Sequence, residues 1–153
     1  MKYLLTICMI ILTISCQKDN NDNDFVDYTQ KNENDIINYI KTHDLDATRS
    51  SSGLYYVIEE EGEGIQASSN STVTVNYKGY YLNGTIFDES NEEGITFNLQ
   101  QVIAGWTEGI TYFKEGGNGI LLVPSKLGYG SFDYNGIPAG SVLIFDIELL
   151  AVQ

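Results

Sequence analysis

Tyr77, Phe87, Val102, Ile103, Trp106, Tyr129, Ile137 and Phe145 are large apolar or aromatic residues, most of them at predicted strand ends and loop edges. Such a set fills a hydrophobic core, the commoner outcome, or lines a dry pocket that takes an apolar group. Other chemistries fit the chain poorly. With a single His, and with both Cys within the first 16 residues, a Ser–His–Asp or Cys–His triad and a His-based zinc site are not indicated. No glycine-rich phosphate loop stands between a strand and a helix. Acidic residues gather in turns and linkers, as a solvated surface does, so paired carboxylates for glycoside hydrolysis are not indicated. The expected chemistry therefore needs neither metal nor cofactor.

Composition narrows the class further. Among 153 residues, 42% are hydrophobic, 19% charged and 12% aromatic, with 11 Tyr and 6 Phe against a single Trp. This is globular usage with a strand-rich flavour. A formal net charge of −13 repels phosphate backbones and argues against nucleic-acid binding. It also opposes adhesion to anionic membrane surfaces unless a covalent anchor holds the chain there.

The elements that must position the aromatic set follow from periodicity. Residues 32–43 predict a helix, with Asn32 as N-cap, Glu33 and Asp35 in the first turn, and an apolar stripe of Ile36, Ile37 and Ile40. His43 falls where it complements the helix dipole. Residues 44–52 are a connector. From Leu54 the period becomes two. Strands are expected at 54–60, at 72–78 with Val73, Val75 and Tyr77 inward, at 85–88, 95–99 and 120–123, and at 141–152 with Leu143, Phe145, Ile147 and Leu149 on one face. Asn83-Gly84 predicts a two-residue hairpin with positive φ at both positions. Residues 102–113 predict one short helix that buries Trp106, Ile110 and Phe113, and 125–140 form a long glycine-rich loop. The sum is an α+β fold, an antiparallel sheet half-wrapped around one short helix.

At this point the chain resembles a known family, the FKBP-type peptidyl-prolyl isomerases. The resemblance rests on Val75-Asn-Tyr77-Lys-Gly79 and Asn83-Gly84-Thr-Ile-Phe87-Asp88-Glu-Ser90. It continues through Phe97-Asn-Leu99-Gln-Gln-Val102-Ile103-Ala-Gly105-Trp106-Thr-Glu108-Gly109, then Leu127-Gly128-Tyr129-Gly130 and Gly136-Ile137-Pro138-Ala139-Gly140. It closes with residues 143–149. These pieces span 54–153 in the family's order. The resemblance implies a pocket floored by Trp106 and walled by Tyr77, Phe87, Ile137 and Phe145, with Val102 at its edge. It implies that the Ile103 N–H and the Tyr129 hydroxyl donate to substrate carbonyls, and that Asp88 lies beside the pocket, held by the Tyr77 hydroxyl. Ile95 and Phe97 are further substrate-facing positions. Proline-containing polypeptides would be the substrates and macrolides ligands of the same pocket. Ile95 stands where the family often has an aromatic, and Gln100 replaces the usual Gly before the helix. These departures bear on substrate preference and macrolide affinity more than on activity.

The N-terminus carries a different signal. Lys2 precedes an apolar run over 3–14 that is shorter than the roughly 20 residues needed to cross a bilayer, and the run ends at Ser15-Cys16. This resembles a lipoprotein signal peptide over 1–15, with Cys16 as the lipidated residue. Residues 16–31 are expected to be a disordered lipid-anchored linker, 32–52 a short helix and connector, and 53–153 the isomerase-like domain. The Asp/Asn run over 19–24 is not a calcium loop, because no turn Gly or closing Glu is placed for one. Gln17-Lys18-Asp19 resembles the acidic tether of surface-exposed lipoproteins. The helix over 32–43 is too short for a strong coiled coil, so a monomer is expected. The reading is an isomerase of the bacterial envelope that helps exported proteins fold, anchored to the outer membrane on its periplasmic or outer face. Its competitors are a non-catalytic chaperone or adaptor using the same groove, and a purely structural lipoprotein.

Overall fold

The computed structural model of the chain describes residues 25–153. The expected signal peptide, Cys16 and the linker as far as residue 24 lie outside the described residues.

Seven strands form one antiparallel sheet: β1 (Thr48–Arg49), β2 (Tyr55–Glu60), β3 (Thr72–Tyr81), β4 (Ile86–Glu89), β5 (Ile95–Asn98), β6 (Asn118–Val123) and β7 (Leu143–Val152). Their order is β1-β2-β6-β7-β3-β4, and β5 pairs with β3 beside β4. The alternation that predicted β3 is obeyed: Val73 and Val75 are buried between half-exposed Thr72, Thr74 and Asn76. β3 lies along β7 over its whole length, while its other edge is shared between β5 and β4.

One sheet face takes Val73, Val75, Leu121, Val123, Leu143, Phe145, Ile147 and Leu149 into a core closed by Trp106, Ile110 and Phe113. Those last three come from α2 (Ala104–Gly109) and from the 3-10 turn and residue that follow it, so the helix expected over 102–113 is shorter than its apolar spacing suggested. The half-wrapped α+β architecture is as expected.

The N-terminal helix departs from expectation. α1 runs Thr29–Thr42 and starts three residues before Asn32, which is therefore not its N-cap. Asp27 Oδ1 accepts from the Thr29 N–H at 2.8 Å instead. Asn32 is buried at 1% exposure. Glu33 leaves the helix end to bind the Arg49 Nε at 2.9 Å and to accept from the Tyr55 hydroxyl at 2.8 Å. Ile36 is fully buried, but Ile37 is 46% exposed and takes no part in the stripe. α1 covers the opposite sheet face, where Ile36, Tyr55, Leu122, Val142 and Ile144 make a second core. This is why β7 buries Ile144 as well as the face its alternation indicated. His43 caps α1 and stacks on Tyr39, 3.8 Å between ring centroids.

The β3–β4 connection is also a correction. Gly84 has φ +81°, but Asn83 is not among the positive-φ residues. The Gly84 N–H donates to the Tyr81 carbonyl at 2.8 Å and Tyr81 N–H to the Thr85 carbonyl at 3.0 Å. A three-residue loop closed by one left-handed Gly replaces the expected two-residue turn. Asn83 Oδ1 accepts from the Thr85 N–H at 3.0 Å, which satisfies the turn without left-handed backbone at Asn83.

Candidate active site

The site grows from the pairing of β3 with β7. Tyr77 lies opposite Ile147 and Gly79 opposite Phe145, so Tyr77 and Phe145 project from the same sheet face as the core. In the β3–β4 pair, Gly79 faces Asp88 and Tyr80 faces Ile86, which leaves Phe87 as the extra residue of a bulge. A bulge re-aims a side chain, and here it turns Phe87 over Gly79. A Cβ on Gly79 would stand 2.7 Å from Phe87 Cζ and 3.0 Å from Phe145 Cε1. The missing side chain is the space the two rings occupy, edge to face at 5.6 Å.

Trp106 lies beneath them, 4% exposed. Its ring meets Tyr77 at 5.0 Å, Phe145 at 5.3 Å and Phe97 at 5.6 Å, each nearly perpendicular. Edge-to-face contacts of this kind add to plain apolar burial. The buried indole Nε1 has no hydrogen-bond partner among the described residues. Val102, Ile103 and Ile137 are half-buried against the same cluster. Phe97 belongs with them. Ile95, two residues earlier on β5, is 41% exposed and outside the packed set.

Polar groups ring the cup. The Tyr77 hydroxyl donates to Asp88 Oδ2 at 2.7 Å. Burial, then the Asp88 carboxylate, push Tyr77 far above the ordinary tyrosine range. Burial, then the charges of Asp88 and Tyr134, also push Tyr129 up. Both hydroxyls therefore hold their protons and can donate. Tyr129 is 39% exposed and stacks on Tyr134, centroids 5.0 Å apart and 12° from parallel. Ile103 ends its extended stretch as the N-cap of α2 (φ −61°, ψ 149°). Its carbonyl accepts from Trp106 and Thr107, at 2.9 and 3.1 Å, while its own N–H has no protein acceptor among the described residues.

Sequence reasoning missed three contributors. Ser90 Oγ accepts from the Tyr77 N–H at 3.0 Å and the Ser90 N–H donates to the Tyr77 carbonyl at 3.0 Å, so Ser90 fixes Tyr77 where the edge of β3 passes between β5 and β4. Gly79 makes the room described above. Its sequence signal is an unbranched position inside an otherwise bulky strand, which marks a close approach. The third is Asn135, with φ +45° beside Gly136 at φ +86°. The N–H groups of Tyr134 and Ile137 donate to each other's carbonyls at 2.9 and 2.8 Å. This is the two-residue turn that had been expected at Asn83-Gly84. Asp133 Oδ1 accepts from the Ala139 N–H at 2.8 Å and braces the tip.

The lining offers apolar walls and donors at the rim, and its one hydroxyl–carboxylate pair, Tyr77 with Asp88, keeps the phenol protonated rather than activating it. It can enclose a small apolar ring and hold carbonyls on either side of it, which is the means for conformational rather than covalent chemistry.

Comparisons with known proteins agree. A family profile described as FKBP-type peptidyl-prolyl cis-trans isomerase matches residues 63–150. The chain is 50% identical over 109 residues to the FKBP-type peptidyl-prolyl cis-trans isomerase FkpA of Buchnera aphidicola subsp. Schizaphis graminum, covering 69% of this chain and 43% of that protein. It is 45% identical over 139 residues to the protein of the same description from Escherichia coli K12, covering 90% of this chain and 49% of that one. The crystal structure of FkpA from Escherichia coli superposes with a TM-score of 0.73 at 40% identity, covering 81% of this chain and 60% of that chain. This chain thus spans less than half the length of these two curated relatives.

Proposed function

The chain belongs to the FKBP-type peptidyl-prolyl cis-trans isomerase family, and we propose that its aromatic cup catalyses cis–trans rotation of X-Pro bonds in polypeptides. The observation that carries this reading is the buried Trp106 ring packed nearly perpendicular to Tyr77, Phe97 and Phe145, an apolar floor on which a pyrrolidine ring can pack.

Rotation about the amide is opposed by about 18–20 kcal/mol because resonance keeps the bond planar. A twisted imide loses that resonance and with it polarity. Walls that offer no solvation therefore favour the twisted form over the planar one. The prolyl ring packs on Trp106 between Phe87, Ile137 and Phe145. The Ile103 N–H and Tyr129 hydroxyl hold the flanking carbonyls in the twisted geometry, so these bonds are strongest at the transition state. Asp88 accepts the Tyr77 hydroxyl and fixes that wall. No bond other than hydrogen bonds is made or broken.

The test is a proline-containing reporter peptide whose cis population relaxes in the presence of the protein. Faster relaxation that is lost in Phe145→Leu, with the fold kept, supports the reading; no acceleration by the intact chain overturns it. Macrolides would compete for the same cup.

A second reading has its own support. Phe132 and Tyr134 are exposed on the loop beside the half-exposed Tyr129. Such a patch can hold unfolded polypeptide without turnover, as a chaperone or adaptor. Suppressed client aggregation that persists after Phe145→Leu would favour it.

For location, the pattern of 1–16 supports export and lipidation at Cys16, and with it a domain that acts on exported proteins at the bacterial envelope. Labelled fatty acid incorporated by the intact chain and lost in Cys16→Ser tests the anchor. Protease shaving of whole cells distinguishes the outer from the periplasmic face.

A further inference from the structure

Asn32 and Ser125 are the two buried polar residues among those described, and they are bonded to each other. Asn32 Oδ1 accepts from the Ser125 N–H at 2.7 Å, and Asn32 Nδ2 donates to the Gly140 carbonyl at 2.8 Å. Ser125 and Gly140 are the two roots of the loop 125–140. One amide side chain on α1 therefore ties both ends of a loop 93 and 108 residues away.

The strands that carry the roots pair with each other as far as Val123 and Leu143, and inside the loop Gly130 bridges the roots, its N–H donating to the Ser125 carbonyl at 2.8 Å and its carbonyl accepting from the Gly140 N–H at 3.0 Å. Tyr28, just before α1, adds a steric stop: a Cβ on Gly140 would stand 2.2 Å from its Cδ1. From these roots the loop presents Tyr129, four residues past Ser125, and Ile137, three before Gly140. We propose that Asn32 is a positioning residue for catalysis, holding the loop so that Tyr129 and Ile137 meet the substrate; this rests on the isomerase reading.

The amide is well suited to the task. It supplies one acceptor and one donor to two buried backbone groups. Asp has no donor for the Gly140 carbonyl, and Ala leaves both backbone groups unpaired in a site closed to water. A loop displaced by a fraction of its contact distance loses the substrate-bound geometry rather than the fold.

The experiment measures kcat/KM of the full chain on a reporter peptide for Asn32→Ala and Asn32→Asp, alone and combined with Tyr129→Phe or Tyr77→Phe. Asn32→Ala should lower kcat/KM about five- to tenfold, with Asn32→Asp between it and wild type. Combined with Tyr129→Phe the loss should fall short of the product of the single losses, because a displaced hydroxyl cannot be lost again. Combined with Tyr77→Phe, whose hydroxyl is held by Asp88 rather than by the loop, the losses should multiply. A folded Asn32→Ala with wild-type kcat/KM, or losses that multiply in both pairs, overturns the proposal. Should neither variant fold, amide exchange in the wild type decides. The Ser125 N–H should be protected to the level of the α1 interior, and exchange as fast as the loop tip overturns the clamp. Absence of isomerase activity in the wild type would count against the proposed function instead, leaving the exchange measurement as the separate test of the clamp.

Discussion

The Tyr77 hydroxyl donates to Asp88 Oδ2 across 2.7 Å, joining β3 to β4 at the mouth of the aromatic cup. The bond has two consequences. It holds the hydroxyl end of a ring that lies perpendicular to Trp106, 5.0 Å between centroids, and it gives the Asp88 carboxylate a neutral donor in place of a counter-ion. Tyr77→Phe keeps the ring and removes the donor. Loss of one hydrogen bond to a charged but accessible acceptor should cost about 1 kcal/mol of stability. Reporter-peptide kcat/KM should fall by a few-fold as Asp88 loses its orientation. Denaturant unfolding and the coupled reporter assay check the two halves.

The loop tip gives a prediction of a different kind. Asn135 and Gly136 both have positive φ, and a Cβ on Gly136 meets nothing within 4 Å. Gly136→Ala is therefore a test of backbone strain alone, about 1–2 kcal/mol for an L-residue in left-handed backbone. The tip is exposed, so the strain should be relieved by local rearrangement around Ile137, leaving the thermal midpoint nearly unchanged. KM should rise while kcat changes less if Ile137 contributes to binding the ring, as proposed. Gly136→Ala with wild-type KM would remove Ile137 from the pocket wall.

Asn83-Gly84 and Asn135-Gly136 also show how far local sequence reaches. The same dipeptide stands at both sites, and only the second forms the turn its residues favour. At the first, the bulge at Phe87 and the Asn83–Thr85 hydrogen bond select a longer loop. Strand periodicity placed β3 and β7 well because each has one face in the main core. It could not indicate that α1 would cover the other face, since that depends on where a separate element docks. Asn32 is the clearest case. Its type suits a helix N-cap, and the partners that bury it lie 93 and 108 residues on, beyond any local pattern. The proposed pocket residues were suggested only through ordered motifs, because Tyr77, Phe87 and Trp106 taken singly read as core. Ile95 came from the same motifs, and its 41% exposure is something a motif position does not convey.

The pH dependence separates catalysis from stability. Tyr77 and Tyr129 are both raised above the ordinary tyrosine value of 10.0, by burial first and by Asp88 second, so both hydroxyls remain protonated at neutral and mildly alkaline pH. The single His caps α1, which covers the sheet face opposite the cup. kcat/KM should accordingly be flat between about pH 6 and 9, and an inflection near 7 would contradict the proposed set of groups. Stability should behave otherwise at low pH. The Arg49 guanidinium, more than the Tyr55 hydroxyl, holds the Glu33 carboxyl below its ordinary 4.5. A depressed value in the folded chain stabilises above the unfolded value, and the effect is lost as acid protonates the group below it. Glu33→Gln should thus narrow the gap in unfolding midpoint between neutral pH and about pH 3, with its effect concentrated at neutral pH.

Gly79 offers the sharpest test of how the cup is shaped. Its Cα faces Phe145 across the β3–β7 pair and Asp88 across the β3–β4 pair, and the rings of Phe87 and Phe145 fill the space a side chain would take. In Gly79→Ala the new Cβ would stand 2.7 Å from Phe87 Cζ and 2.9 Å from its Cε2, closer than such atoms can approach. Phe145 belongs to the main core and sits on Trp106, so it has little freedom to move. Phe87 is half-buried on a short strand and already at a bulge, so it should yield. The expected stability loss is about 1–3 kcal/mol, as for other overpacked sites. The ring that yields is a wall of the cup, so activity should fall further than stability implies. A second change, Phe87→Leu, removes the clash while leaving the pocket short of one wall. In Gly79→Ala/Phe87→Leu the stability should recover while kcat/KM stays low. Recovery of both would mean that Phe87 shapes the fold and not the substrate site.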